Sequence, residues 1–317
     1  MKKVLLAAPR GYCAGVDRAV QIVERALDQL GAPVYVRKEI VHNRHVVSEL
    51  EARGAVFVDS EDDIPEGAVC VFSAHGVSPE VRRNAEDRNL KVIDATCPLV
   101  TKVHLEAKRF DRGGRKLILV GHVGHEEIEG TSGEVPDRTY VIESTDQIDD
   151  LDVDPDEPLA YLTQTTLSVD DTLEVVEALR DKFTDIQGPS KDDICYATQN
   201  RQVAVKAIAP ESDVVLIVGA LNSSNSNRMV EVAIKAGTPA HLVPDETHLD
   251  EAWLKGAETV GVSSGASAPE VLVDRLLERL AELGYETIET QEVTQEAVTF
   301  SLPSWLREET AGAGAGN

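Results

Sequence analysis

Aromatic residues, basic residues and long apolar runs are all scarce in this sequence of 317 residues. Phe, Trp and Tyr make up 4% of the chain, and 31 Lys and Arg residues face 56 Asp and Glu residues, for a formal net charge of −25. A chain this acidic lacks the basic surface that nucleic acid requires. Its longest apolar segments, such as 214–218, are far shorter than the roughly 20 residues of a membrane span. We therefore expect a soluble, cytoplasmic protein that binds neither nucleic acid nor membrane.

Cysteine is scarce as well, with four residues and no CxxC spacing. This absence excludes zinc-ribbon and thioredoxin signatures, and the cytosol disfavours a disulfide framework. Cys70 lies inside the apolar segment 68–72 and is typical of a core residue. Cys13, Cys97 and Cys195 each lie between a predicted strand and a predicted helix. Three thiolates without a fourth would leave one position of a metal or cluster open, and the residues themselves allow both zinc and an iron–sulfur cluster.

The apolar pattern predicts an α/β protein with mostly parallel strands, because short β-branched runs alternate with segments of helical period. The first such helix is expected to end at Gly31, which is a favourable stop residue. The three loop cysteines are separated by 84 and 98 residues and mark a weak internal repeat. We interpret the repeat as three similar α/β lobes around a common centre. The expected units are lobes at 1–96, 97–190 and 191–282, and a C-terminal extension with a flexible tail at 283–317.

Polar residues follow several predicted strands, where parallel sheets bind ligands. Histidines 42, 75 and 125 are in such positions, and imidazoles can donate hydrogen bonds to an anion. The segments 222–227 and 263–270 are rich in Ser and Asn and each precede a predicted helix. Either they are ordinary turns with helix caps, or they form a cradle for phosphate.

Glu127 and Thr165 follow strands of the middle lobe. A Glu in a loop is usually solvated. Should Glu127 face a pocket that holds a metal and an anion, it would be the natural proton donor, with Thr165 placed to orient it or relay the proton.

Nine ordered segments resemble the 4-hydroxy-3-methylbut-2-enyl diphosphate reductases, also called the IspH or LytB family. The resemblance extends from about residue 4 to 282. It implies a trefoil of three α/β lobes around a central iron–sulfur cluster. The segments are APRGYCAGVDRA, VHNR, FSAHGVS, DATCPLVTKVH, GHVGHEEIEGT, TQTTLSVDDT, DDICYATQNRQ, NSSNSNR and SSGASAP.

The resemblance also implies roles for individual residues. The three loop cysteines match the ligands of one 4Fe–4S cluster per chain, Glu127 matches the acid that supplies protons, and Thr165 matches the hydroxyl that assists it and contacts the substrate. Tyr12, Glu126 and Ser132 depart from the usual Phe, Pro and Met. The His-x-Glu spacing selects Glu127 over its neighbour. The positions that match the family's diphosphate-binding residues are His42, His75, His125, Ser223, Ser224, Asn225 and Ser267.

The implied reaction is the reductive removal of an allylic hydroxyl, with two electrons and two protons, which gives isopentenyl and dimethylallyl diphosphates plus water. It is the last step of the non-mevalonate isoprenoid pathway. A ferredoxin- or flavodoxin-like protein would supply the electrons. The alternatives are a zinc-dependent hydrolase of a phosphorylated small molecule, with Glu127 as general base, and a redox sensor built on exposed thiols.

Overall fold

Short segments rich in Val, Ile and Leu form the strands, since β-branched residues pack well on a pleated surface. The structure, a computed structural model, describes residues 2–306. In that range the strands are β1 (Lys3–Ala8), β2 (Val34–Arg37), β3 (Ala55–Val58), β4 (Val69–Phe72), β5 (Lys91–Asp94), β6 (Lys116–Val120), β7 (Thr139–Ile142), β8 (Leu159–Thr163), β9 (Ile186–Gln187), β10 (Val214–Val218), β11 (Ala240–Val243), β12 (Thr259–Ser264) and β13 (Thr287–Glu292).

Capping side chains begin many of the helices. Ser78 and Ser168, for example, each accept a hydrogen bond from a backbone N–H of the first turn. The first helix ends at Leu30, directly before Gly31, as predicted. None of the helices in residues 2–306 has the length and apolar composition of a membrane span. The helices are α1 (Ala14–Leu30), α2 (Arg44–Ala52), α3 (Pro79–Asp87), α4 (Pro98–Arg112), α5 (Glu126–Ser132), α6 (Val169–Lys182), α7 (Tyr196–Ile208), α8 (Ser224–Lys235) and α9 (Glu270–Glu282).

The strands form three sheets, one for each lobe. The first sheet has the order β3-β2-β4-β5, the second β7-β6-β8-β9, and the third β11-β10-β12-β1-β13. Every strand pair given by these orders is parallel. Central strands such as β8 and β10 are buried along their whole length, as expected where helices cover both faces of a sheet. The prediction of three lobes with parallel sheets is confirmed.

The first and last strands of the described residues pair in the third sheet. β1, which the predicted boundaries assign to the first lobe, pairs with β12 and β13. Its alternate side chains pack into two apolar clusters of the third lobe, Val4 and Leu6 in one and Leu5 and Ala7 in the other. Strand pairing and burial on both faces therefore place β1 in the third lobe. β13, from the predicted extension, joins the same sheet by pairing with β1. The boundaries at 96/97 and 190/191 stay predictions, and the predicted flexible tail at 311–317 lies outside the described residues.

Each loop cysteine lies where the chain passes from one lobe to the next. The strands that precede the three cysteines are β1, β5 and β9. β5 and β9 are the fourth strands, in chain order, of the first and second sheets. β1 takes the corresponding place in the third sheet, after β10, β11 and β12. The helices that come next, α1, α4 and α7, pack against the first, second and third sheets respectively. The three crossings between lobes therefore carry the three cysteines.

Candidate active site

The three loop cysteines line one cavity at the starts of three helices. Cys13, Cys97 and Cys195 immediately precede α1, α4 and α7. Cys13 Sγ accepts a hydrogen bond from the backbone N–H of Val16 at 3.5 Å, and Cys195 Sγ accepts one from that of Thr198 at 3.4 Å. Helix N-termini carry partial positive charge, so all three positions favour an anionic sulfur ligand.

Gly15 leaves space beside two of the sulfur atoms. A Cβ at this position would lie 2.6 Å from Cys97 Sγ and 3.8 Å from Cys13 Sγ. The first distance is too short for any real contact, so a side chain at position 15 would push into the thiol-lined part of the cavity. The glycine preserves the room that a bound group between the cysteines needs.

The spacing of the sulfur atoms suits a polynuclear centre better than one ion. A single zinc ion bonded to three thiolates at about 2.3 Å requires sulfur atoms about 3.8 Å apart. Within the described part of the chain, only two histidines and a glutamate place three metal-ligating atoms within 4.8 Å of one another. The three cysteine sulfurs do not all lie within that distance of one another, which fits a cluster of several iron atoms.

Burial keeps the Cys97 and Cys195 thiols protonated when no cation is bound. Burial, with a smaller contribution from repulsion by the nearby Cys13 sulfur, raises the pKa of Cys97 to about 12 and that of Cys195 to about 11. A bound cationic centre reverses this effect and deprotonates its ligands. Cys70 is different. It is fully buried in β4 within an apolar cluster, as predicted for a core residue.

Three histidines pack together in the same cavity. The rings of His42 and His75 are stacked, with centroids 4.1 Å apart and planes at 20°. His125 approaches both rings edge-on, at 5.4 Å from His42 and 5.8 Å from His75. They follow β2, β4 and β6, so the carboxyl ends of strands in two lobes bring them together.

Carboxylates hold two of these rings in place. Glu39 Oε2 lies 3.1 Å from His42 Nδ1, and Glu126 Oε2 lies 3.0 Å from His75 Nδ1. Burial raises the pKa of Glu126, but the hydrogen bond with His75 and the adjacent imidazoles outweigh it and lower that pKa. Glu126, which replaces the family's usual Pro, thus places an ionised carboxylate beside Nδ1 of His75, a predicted substrate ligand. The other ring nitrogen of His75 is Nε2.

His125 is held as a neutral imidazole. Its Nδ1 accepts a hydrogen bond from the Glu127 backbone N–H at 3.1 Å, which leaves the proton on Nε2. Burial, followed by the neighbouring His75 and His42, lowers the pKa of His125 to about 3. A neutral Nε2–H is a hydrogen-bond donor that brings no charge of its own.

Glu127 faces a different partner from Glu126, although the two are adjacent. Its Oε1 accepts a hydrogen bond from the Thr165 backbone N–H at 2.6 Å, and its Oε2 accepts one from Thr165 Oγ1 at 2.9 Å. Glu127 is 2% exposed. Burial raises its pKa to about 7, against the effect of the Thr165 hydrogen bonds. The two neighbouring carboxylates are therefore separated into one that is ionised and one that can carry a proton near neutral pH.

The third lobe supplies hydroxyl and amide groups. Ser223 caps α8, where its side chain accepts a hydrogen bond from the Ser226 backbone N–H at 3.3 Å. Asn225 Oδ1 accepts from the Ala266 backbone N–H at 2.9 Å, which joins α8 to the loop after β12. In that loop, Ser267 Oγ donates to the His42 carbonyl at 3.0 Å. The start of α8 therefore opens toward the histidines, and it is suited to an anion.

One cavity brings together all of the residues predicted from sequence. Thr198 lines it too and was not predicted: its Oγ1 lies 3.2 Å from Cys195 Sγ and accepts from Asn225 Nδ2 at 3.3 Å. Its position three residues after the capping Cys195 is the signal that would have found it. The predicted residues in the cavity are Cys13, His42, His75, Cys97, His125, Glu127, Thr165, Cys195, Ser223, Ser224, Asn225 and Ser267.

The fold and the site define an α/β protein of three parallel-sheet lobes around a cavity lined by thiols on one part and imidazoles on another. The family model described as LytB protein matches residues 4–281, and the chain belongs to the LytB family.

The similarity to known proteins extends over nearly the whole chain. It is 59% identical over 307 residues to the 4-hydroxy-3-methylbut-2-enyl diphosphate reductase of Mycolicibacterium paratuberculosis, with 96% of this chain and 92% of that protein covered. It is 60% identical over 308 residues to the protein of the same name from Corynebacterium diphtheriae, with the same coverage. The solved E-1-hydroxy-2-methyl-but-2-enyl-4-diphosphate reductase of Plasmodium falciparum superposes with a TM-score of 0.93 at 36% identity and covers 96% of each chain.

Proposed function

We propose that this chain is a 4-hydroxy-3-methylbut-2-enyl diphosphate reductase. It removes the allylic hydroxyl of its substrate with two electrons and two protons, and it releases water with isopentenyl or dimethylallyl diphosphate. The observation that carries this proposal is the placement of Glu127: a buried carboxyl with a pKa near 7 shares one cavity with three thiols and three imidazoles. A proton donor, a cluster site and an anion site are thus within reach of one small substrate.

The diphosphate end binds between the lobes. His42, His75 and His125 offer imidazole nitrogens, while Ser223 and the first N–H groups of α8 offer uncharged donors. Donors of this kind form charge-assisted hydrogen bonds with phosphate oxygens and need no lysine or arginine. The rings are half-buried, which limits competition from water and strengthens each of these bonds.

Glu127 delivers the proton that turns the substrate hydroxyl into water. Its carboxyl group is protonated in a useful fraction of molecules near pH 7, because burial raises its pKa to about 7. Thr165 fixes both carboxyl oxygens through two hydrogen bonds, so the acid has one orientation. Thr165 also lines the cavity, where its hydroxyl oxygen can accept a hydrogen bond from the departing water.

Cys13, Cys97 and Cys195 would hold one 4Fe–4S cluster. When bound, such a cluster supplies electrons and an open, Lewis-acidic iron, a combination that redox-inert zinc lacks. The three helix N-termini, the sulfur atoms that do not all lie within 4.8 Å of one another and the space left by Gly15 support this assignment over a zinc-dependent hydrolase.

The two electrons have to come from outside the chain, since no residue of the cavity can supply them. We assign this role to a ferredoxin- or flavodoxin-like protein, the class of partner that carries low-potential electrons.

Anaerobic purification followed by iron and acid-labile sulfide analysis tests the proposal. We expect brown protein with about four iron and four sulfide per chain. It should convert the hydroxylated diphosphate to the two isoprenoid diphosphates with a chemical reductant. Zinc without sulfide, together with release of phosphate from the substrate, would support the hydrolase instead. Cluster-loaded protein that leaves the substrate unchanged would refute the assigned reaction.

A further inference from the structure

Each helix that follows a loop cysteine carries a basic side chain at nearly the same place. Arg18 lies five residues after Cys13, and Lys102 lies five residues after Cys97. Arg201 takes the corresponding place in α7, six residues after the third cysteine. Basic residues are scarce in this chain, which has a net charge of −25. All three of these cations donate hydrogen bonds to backbone carbonyls, so they do not serve only as solubilising surface charges.

The three cations all bind backbone carbonyls, and in each case those of a loop that ends at the next cysteine. Arg18 Nη1 donates to the carbonyls of residues 95 and 96 at 3.2 and 3.1 Å, directly before Cys97. Lys102 Nζ donates to the carbonyls of residues 191 and 192 at 2.6 and 3.2 Å, just before Cys195.

Arg201 completes the cycle. Its Nη2 donates to the Gly11 carbonyl at 2.6 Å and to the Tyr12 carbonyl at 3.3 Å, directly before Cys13. Thus α1 holds the loop of the second cysteine, α4 that of the third, and α7 that of the first. Charged donors bind carbonyls about twice as strongly as neutral ones, so each contact restrains the loop it reaches.

Acidic and C-terminal groups secure the cations. Arg201 is fully buried and pairs with Glu296 at 3.0 Å, while Arg18 Nε donates to the Ser301 carbonyl at 3.1 Å. Lys102 Nζ lies 3.0 Å from Asp193, a buried carboxylate. The segment after β13 therefore reaches two of the three cations.

We propose that Arg18, Lys102 and Arg201 form a basic ring of positioning residues that holds the three cysteine loops at the separation a cluster requires. The inference rests on the proposed function in so far as the cysteines are cluster ligands. The ring itself is a property of the protein chain, and it acts before any cluster is bound. Each member fixes the cysteine of the next lobe and not the cysteine of its own helix.

The cyclic order gives a test that does not depend on turnover. The full chain is stripped of iron under argon, and alkylation of each cysteine by iodoacetamide is followed by mass spectrometry. Loss of one set of charged hydrogen bonds should speed alkylation of the restrained cysteine by about tenfold or more. Arg18→Met should do so at Cys97, and Lys102→Met at Cys195.

Conservative and matched variants complete the design. Arg18→Lys and Lys102→Arg keep a charged donor and should restore slow alkylation. Gln21→Met in α1 and Arg112→Met in α4 remove side chains that reach no cysteine loop, and they should leave all three rates unchanged. Arg201→Met removes a fully buried cation that also donates to a carbonyl of its own helix, and it can unfold the chain, so the test uses the other two positions.

The same variants separate this proposal from the proposed function. Equal acceleration at all three cysteines, acceleration at the cysteine of the mutated helix, or no acceleration would each overturn the ring. Selective acceleration supports it whether or not the chain reduces the diphosphate. In cluster-loaded protein, Arg18→Met and Lys102→Met should also release iron to a chelator faster than their controls, whereas failure of wild-type protein to bind iron would count against the proposed function alone.

Discussion

The thiol part and the polar part of the cavity use the same repeat in different ways. On the thiol part, all three lobes place the same residue at the same point, a cysteine directly before a helix. On the polar part, the loops after the first and third strands of each sheet occupy equivalent places but carry different side chains. After the third strands these are His75, Thr165 and Ser267.

The difference follows from what each part has to bind. A cluster held by three equivalent ligands makes the same demand on every lobe, so identical residues serve it. The substrate carries charge at one end and needs a proton at the other, so the lobes supply different groups. The first lobe supplies His42 and His75, the second supplies Glu127 with Thr165, and the third supplies the serine-rich start of α8. Substitutions on the two parts should therefore fail in different ways.

The largest effect is expected for the loop cysteines. Cys13→Ser, Cys97→Ser or Cys195→Ser should each abolish stable iron binding, because the hydroxyl is a poor ligand in place of a thiolate. Cys70→Ser should retain iron, with stability lowered by about 1–3 kcal/mol because a hydroxyl is buried in the apolar cluster around β4. Iron content after anaerobic reconstitution, with thermal unfolding as the second measurement, distinguishes them. Equal iron loss in all four variants, or in none, would contradict the comparison.

Glu127→Gln should lower kcat by about 10² to 10⁴ at saturating substrate, since the amide keeps the shape but cannot deliver a proton. Iron content and substrate affinity should stay near wild type. Steady-state kinetics with an artificial reductant separates the two effects, because a binding defect would disappear at saturation. Loss of the cluster in this variant would show instead that Glu127 has a structural role.

Substitutions among the anion donors should weaken binding and leave the chemical step intact. Removal of one donor to a charged oxygen costs about 1.5–3 kcal/mol, or roughly 10- to 150-fold in affinity. Titration calorimetry on Ser223→Ala and His42→Ala measures this directly. Ser132, which is half-buried and lies outside the cavity lining, provides a matched Ser→Ala control. Unchanged affinity in both variants would place the diphosphate elsewhere.

The pH dependence should report the protonated form of Glu127. Burial raises its pKa to about 7, and a proton donor acts only while protonated. The turnover rate should therefore fall as pH rises through 7, by about fivefold between pH 7 and pH 8. kcat should be measured across this range for both proteins. The decline seen in the wild-type protein should be absent in Glu127→Gln. A decline that persists in the variant would assign it to another group.

The smallest effect is expected for Glu126→Gln. Its carboxylate holds His75 through a 3.0 Å contact but does not line the cavity. The amide can still bond to the ring, so only the charged part of this interaction is lost. We expect KM to rise roughly two- to fivefold with kcat unchanged. A large fall in kcat here, with a mild one in Glu127→Gln, would exchange the roles of the two acids.

Much of the site follows from local patterns. Cys13, Cys97 and Cys195 could be singled out because strand, loop and helix periodicities place each of them at a strand-to-helix turn. Gly31 marks the end of α1 for a similar reason. The contact of Thr198 with Asn225 and the different partners of Glu126 and Glu127 could not be predicted in this way, because they depend on side chains more than 25 residues away in the chain.

The sequence by itself determined the elements, their three-fold repetition and the residue types that reach the cavity, since periodicity and capping are local properties of the chain. Only the tertiary structure decided that β1 completes the third sheet, and that each basic side chain after a cysteine holds the loop of the next one. Both results depend on how the lobes pack around their common centre. A strand that is apolar on both faces fits any parallel sheet, and a cation binds whichever carbonyls the fold brings within reach.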